Sequence, residues 1–179
     1  PPGPSHLSPY AKFGCRPGWT GVELRKRVAP AEAAVAEAAP LLQHPEVPLP
    51  DLGYLYPGFD PSAEMRAILD RKAGRVFATD SSLAVVLLRD ALHVSDESAF
   101  IPLLVAPDRA GFVSLVAAAE RAALDAGKAT IAVRLSGSCW GAFQALVENG
   151  FRAGASTLRM KAGDNLDYDR DAWYCDDWL

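Results

Sequence analysis

Cysteine is scarce: Cys15, Cys139 and Cys175 are the three in 179 residues. Their odd number and wide spacing give no CxxC pair and no disulfide framework. A reducing, cytoplasmic setting is therefore expected. Histidine is equally thin. His6, His44 and His93 stand alone, none at ligand spacing from a Cys or another His, so no metal site is expected. An excess of basic charge is missing too. The 18 Lys and Arg against 22 Asp and Glu leave a net charge of −4 at pH 7, which offers no electrostatic footprint for nucleic acid. The chain has no run of about 18 apolar residues, so no membrane-spanning helix is expected. Its first residues, PPGPSHLSPY, lack the basic-then-apolar pattern of a signal peptide. GxGxxG and GxxxxGK[ST] are absent, which removes the dinucleotide and P-loop motifs. The chain opens on Pro1 without an initiating Met, and a fragment or processed chain is expected.

What is present is a large apolar reserve and a repeat. Half of the residues are hydrophobic, enough for a sizeable core. Ser138–Gly163 reads as a helix, a Gly stop and a strand, and Ser5–Lys26 repeats that grammar. One offset of 136 residues (150 minus 14) aligns the copies without a gap. Gly14 matches Gly150, Arg16 matches Arg152 and Gly18 matches Gly154. The repeat divides the chain into the end of one domain, residues 1–28, and a complete second domain, residues 60–162. Residues 29–59 connect them, and residues 163–179 form a tail.

Local signals fill in the elements. Residues 5–13 are expected to be a short helix stopped by Gly14, and Trp19–Val28 a strand. Ala31–Leu42 is rich in Ala and Glu and predicts a helix ended or bent by Pro40. Residues 43–59 are a Pro-rich connection. Asp60, followed by Pro61, predicts a helix cap for a helix to Lys72. Val76–Ala78, Leu83–Leu88 and Ala99–Ala106 read as strands, the third with a bulge at Pro102, which has no N–H. Phe112–Leu124 is an amphipathic helix with Glu120, Arg121 and Asp125 on its polar side. Lys128–Leu135 is a strand. The tail 164–179 holds six Asp together with Tyr168, Trp173, Tyr174 and Trp178. So many aromatics predict packing onto the body or onto a neighbouring domain. The sum is an α/β fold with a mixed sheet flanked by helices.

The order and spacing of these pieces resemble the GNAT superfamily of acyl-CoA-dependent N-acyltransferases. The resemblance rests on LLVAPDR (103–109), the helix ending in AGK (126–128), TIAVRL (130–135), ALVENG (145–150) and GF followed by a strand (150–160). YAKFGCRPGWTGVELRK near the N-terminus resembles the end of another such domain. Together they look like the back end of a tandem GNAT protein, with residues 1–28 as the remnant of a sister domain. The resemblance implies transfer of an acetyl group from acetyl-CoA, as co-substrate, to the amine of a small molecule or peptide. It implies neither metal, nucleic acid nor membrane as partner, and either a homodimer or packing against the sister domain.

The same resemblance distributes roles. Acetyl-CoA would lie against residues 99–106 and the loop 107–112, touching Leu104, Val105, Arg109, Ala110, Gly111 and Phe112. Backbone N–H groups at a helix N-terminus suit its pyrophosphate. The loop is shorter than the family's, lacks its second and third glycines, and adds a negative charge at Asp108. The leaving thiolate needs a proton, which many members supply from a Tyr four residues before the Gly of the GF turn. That position is Leu146 in the complete copy and Tyr10 in the partial one. Tyr10 reads equally well as a core aromatic. Cys139, at the start of the last helix, reads as a small buried residue. Glu97 is the leading candidate for a base, with Asp80 behind it, although both also read as solvated loop acids. A non-catalytic GNAT-like module, supporting a sister domain or a dimer, stands beside the enzyme reading.

Overall fold

The computed structural model describes residues 12–29, 41–42, 50, 52, 60–91, 93–161 and 173–176. Within them the chain runs through β1 (Arg16–Arg27), β2 (Leu41–Leu42) and helix α1 (Ser62–Asp70). Strands β3 (Gly74–Ala78), β4 (Leu83–Leu87) and β5 (Ser98–Ala106) follow. Then come α2 (Arg109–Asp125), β6 (Thr130–Ser136), α3 (Trp140–Glu148), β7 (Arg152–Lys161) and β8 (Trp173–Asp176). The strands make one sheet in the order β2-β3-β4-β5-β6-β1-β7, with β8 on β5. All pairs are antiparallel except β5 with β6, the pair joined by α2. A helical crossover is what a parallel pair needs.

The elements expected on the described residues are there, with four corrections; the helix expected over 5–13 lies outside them up to residue 11, and so does nearly all of the connection 43–59. Leu41 and Leu42, expected as the end of a helix, pair with Phe77 and Val76 as strand β2; residues 31–40 lie outside the described residues. Helix α1 starts at Ser62 with Pro61 at the cap position. The Asp60 carboxylate still accepts the Ser62 N–H, at 3.0 Å, so the cap works from one residue further out. Glu120, expected on the polar side of α2, is buried, and its carboxylate takes two hydrogen bonds from Lys26 Nζ, at 3.0 and 2.9 Å. The reason lies in β1, which enters the sheet and delivers an ammonium to the helix; a carboxylate stays charged in such a place only with a partner. Residues 173–176 of the tail pack onto the body, and they do so as a strand that their short, mixed sequence does not announce.

The core lies between the sheet and helices α2 and α3. Leu24, Val85, Ile101, Leu103, Phe112, Leu115, Leu146 and Phe151 are among its fully buried members. All of β4, and all of β5 beyond Ser98, is buried, as near-continuous apolar runs require. Leu87, Phe100 and Ala132 form a second, smaller cluster.

The repeat returns in the pairing of β1 with β7. Arg16 faces Lys161 and Arg25 faces Arg152; Pro17 faces Met160 and Leu24 faces Ala153. Each pair maps onto the other under the 136-residue offset. The register shifts, between Pro17 and Thr20 and between Val22 and Leu24, are images of one another as well. Gly21 faces Thr157, its own repeat partner, so a local pseudo-twofold axis passes through that pair. A Cβ on Gly21 would collide with the Thr157 hydroxyl. Only one of the two positions on the axis has room for a side chain.

Candidate functional site

Strand β5 changes partner halfway along. Its first half pairs with β6 from Ser98↔Thr130 to Ile101↔Val133, and there the parallel ladder stops. Pro102 follows, with no N–H to continue it. Across β4, Leu103 faces Val85 and Phe100 faces Leu87, so β5 carries one extra residue at Ile101-Pro102, the expected bulge. Beyond it β5 and β6 diverge. Two parallel strands that separate leave facing backbone N–H and C=O groups without a ladder, and an extended ligand with amide groups can pair with such an edge.

That edge leads into the start of α2. Asp108 is the N-cap, and its side chain accepts the Gly111 N–H at 2.8 Å. A cleft of about 270 Å³ beside it is lined by Thr79, Ser82, Pro107, Asp108, Gly111 and Ser114. Hydroxyls and a helix N-terminus suit an anion. The carboxylate of Asp108 already holds one of the N–H groups such an anion would use. The Arg109 guanidinium reaches the Glu148 carboxylate in an exposed pair.

The residues named from the family resemblance fall into separate places. Leu104 and Val105 are buried on the second half of β5, facing Cys175 and Tyr174 of β8. Phe112 is buried, its ring tilted against Trp173 at 5.9 Å between centroids. Arg109, Ala110 and Gly111 form the first turn of α2. These six cluster around one end of β5. Glu97 stands at the other end, roughly 25–30 Å along the strand, exposed, with its carbonyl accepting the N–H groups of Ala129 and Thr130. Asp80 is exposed in the β3–β4 bend. Leu146 is fully buried in α3, so the position matched to a proton donor is part of the core. Cys139 is buried at the α3 N-cap. Tyr10 lies outside the described residues.

A charged cluster went unnoticed in the sequence. Glu23 of β1 is buried, accepts Arg25 Nε at 2.7 Å and accepts Arg134 Nε at 2.9 Å. Burial raises its carboxyl, but the hydrogen bonds and charges of Arg25 and Arg134 outweigh that and hold it below the ordinary glutamate value. Arg134 also meets His93, with ring nitrogens at 3.0 and 3.1 Å, and lies over the Phe100 ring. His93 is held at φ +69°, in the left-handed region that His enters more often than most non-glycine residues. Arg134 follows Val133, the last residue of β6 that pairs with β5, so the cluster marks the level at which the strands part. Glu23 and Arg25 sit two apart on a strand and share a face, which was legible. Their union with Arg134 and His93 needed the order β5-β6-β1.

No protein-family model and no curated protein matches the sequence. Among solved structures, the chain is similar to a Pyrococcus horikoshii protein whose crystal structure is described as that of a "putative acetyltransferase". The TM-score is 0.67 and the identity 14%, over 96% of this chain and 55% of that one. The chain thus spans about half the length of that protein. At this identity the likeness concerns the fold: a mixed sheet flanked by helices, GNAT-like in its architecture.

Proposed function

We propose that the chain is a GNAT-type N-acyltransferase domain that takes acetyl-CoA as acyl donor and an amine as acceptor. The observation that carries this reading is the parting of β5 and β6 after Ile101 and Val133, which leaves the second half of β5, running directly into the N-terminus of α2, to a partner other than β6; in this structure that partner is β8. The amide-bearing arm of an acyl-CoA would pair along residues 103–106, and its pyrophosphate would lie at the cleft beside Gly111. Once bound, the donor supplies a thioester carbonyl. The neutral amine attacks it, the C–N bond forms and the nitrogen gives up a proton, the C–S bond breaks, and the thiolate takes up a proton. Leu146 cannot deliver that proton; Tyr10 is the candidate from the repeat, and without it the proton comes from solvent or from the amine. Isothermal titration of acetyl-CoA into the chain tests the reading. Saturable heat is expected, and none up to millimolar acetyl-CoA would overturn it.

A second reading is favoured by the pseudo-twofold pairing of β1 with β7. In it the chain is a non-catalytic GNAT-like module that seats a sister domain across that axis. Leu146 agrees with this reading. It predicts acetyl-CoA binding without release of free thiol in the presence of amines.

A further inference from the structure

The gap between β5 and β6 is filled by the chain itself. β8 pairs antiparallel with the second half of β5: Leu103 with Asp176, Leu104 with Cys175, Val105 with Tyr174 and Ala106 with Trp173. It lies against β6 on its other side. Tyr174 and Cys175 are 2% and 0% exposed. Trp173 is wedged between the start of two helices. Its ring meets Phe112 of α2, and a Cβ on Gly141 of α3 would stand 3.1 Å from it, so only glycine leaves the ring its ordinary room.

We propose that Trp173–Asp176 is a releasable strap, an intramolecular ligand that occupies the edge of β5 and must leave before an extended amide-bearing ligand can use it. Three features support release over a permanent strand. The strap is four residues long, against nine for β5. Among the described residues its ladder runs to β5 alone, so a single row of backbone hydrogen bonds holds it in the sheet. It also belongs to a tail of distinct charge. Residues 164–179 carry six Asp and one Arg, a net −5, whereas residues 1–163 carry +1 of the total −4. Asp176 of that tail faces Leu103, on the edge along which the proposed donor, itself an anion, would pair. Occupancy by the strap scales the apparent affinity of any competitor by the fraction of molecules in which the slot is open. What the strap excludes rests on the acyl-CoA reading; the strap itself does not.

Cys175 is a built-in reporter. It is buried in the strap, while Cys139 is buried in the body, and neither is in a disulfide. The experiment is alkylation of the full chain with iodoacetamide, read at each cysteine by peptide mass spectrometry. It is run alone, with acetyl-CoA, and with a synthetic peptide of residues 164–179 carrying Cys175→Ser. The peptide is expected to trap the open slot and raise the Cys175 labelling rate several-fold, saturably, with Cys139 unchanged. Trp173→Ala is expected to raise that rate at least about tenfold, and Trp173→Phe to restore most of the protection. Acetyl-CoA is expected to act like the peptide. If the peptide accelerates labelling and acetyl-CoA does not, the strap stands and the acyl-CoA reading falls. If neither accelerates it, or if Cys139 is always labelled together with Cys175, the strap is a permanent strand and the proposal is overturned.

Discussion

Beyond Ser98 the two halves of β5 are equally buried and differently held. Residues 98–101 lie between β4 and β6, two strands anchored by a hairpin and a helical crossover. Residues 103–106 lie between β4 and β8, a strand of four residues whose ladder, among the described residues, runs to β5 alone. Burial alone therefore does not say which edge is structural and which is exchangeable. The partner's own ladder does, and Pro102 sets the boundary. The largest expected effect tests this contrast with one truncation in each half. Ile101→Ala opens a cavity among residues that cannot close in, and it should cost about 2–5 kcal/mol in urea denaturation. Leu104→Ala faces β8, which can shift to fill the space, and should fall at the low end, about 2 kcal/mol. Equal losses would erase the distinction between the halves.

A smaller effect is expected one strand away, at the level where β6 leaves β5. Glu23 joins Arg25 and Arg134, and Arg134 in turn braces His93 and Phe100. Glu23→Gln removes the charge but keeps an acceptor, and should cost roughly 1–3 kcal/mol, the scale of hydrogen bonds to a charged group. The Glu23 carboxyl is depressed in the folded protein. Its contribution is therefore complete above the unfolded value, about 4.3, and is lost as pH falls through the lower folded value. Melting temperatures of the two proteins should differ at pH 7 and converge toward pH 3. A gap that stayed constant with pH would mean that the carboxylate's charge does not matter to the fold.

This contrast also explains what could be read from the sequence. The apolar runs 83–87 and 99–106 dictate buried strands whatever their neighbours, and Pro102 announces an interruption. The Gly stops at Gly14, Gly127 and Gly150 all have positive φ, as a helix C-terminus demands. The repeat of residues 5–26 in 138–163 was legible as a repeat, but that its two strands pair with each other was not. What stayed hidden depends on partners far apart in the chain. Glu120 looks solvent-facing until Lys26 arrives from β1. Glu23 looks like the polar side of a strand until Arg134 stands opposite. The tail reads as aromatic and acidic, but four residues carry too little periodicity to declare a strand, and the vacancy that β8 fills exists only once β5 and β6 have parted. The candidate site was thus legible in its α2 end and illegible in its occupant.

The smallest effect concerns that α2 end. Asp108 caps the helix by accepting the Gly111 N–H at 2.8 Å and brings a negative charge to the place proposed for a pyrophosphate. Asp108→Asn retains a side-chain oxygen for the cap, and Asn caps about as well as Asp. The substitution therefore separates charge from geometry. Removing a like charge at a partly exposed helix N-terminus is worth about 0.3–1 kcal/mol, so acetyl-CoA should bind two- to five-fold more tightly by titration, and the gain should shrink as salt is raised. Asp108→Ala removes the cap together with the charge and should lower the melting temperature, which Asp108→Asn should leave nearly unchanged. The Asn variant acts on the anionic end of the ligand and not on the strap, so Cys175 labelling without ligand should stay at the wild-type rate. Tighter binding with faster labelling in the absence of ligand would instead place Asp108 among the groups that hold β8, and would join the two ends of the slot into one device.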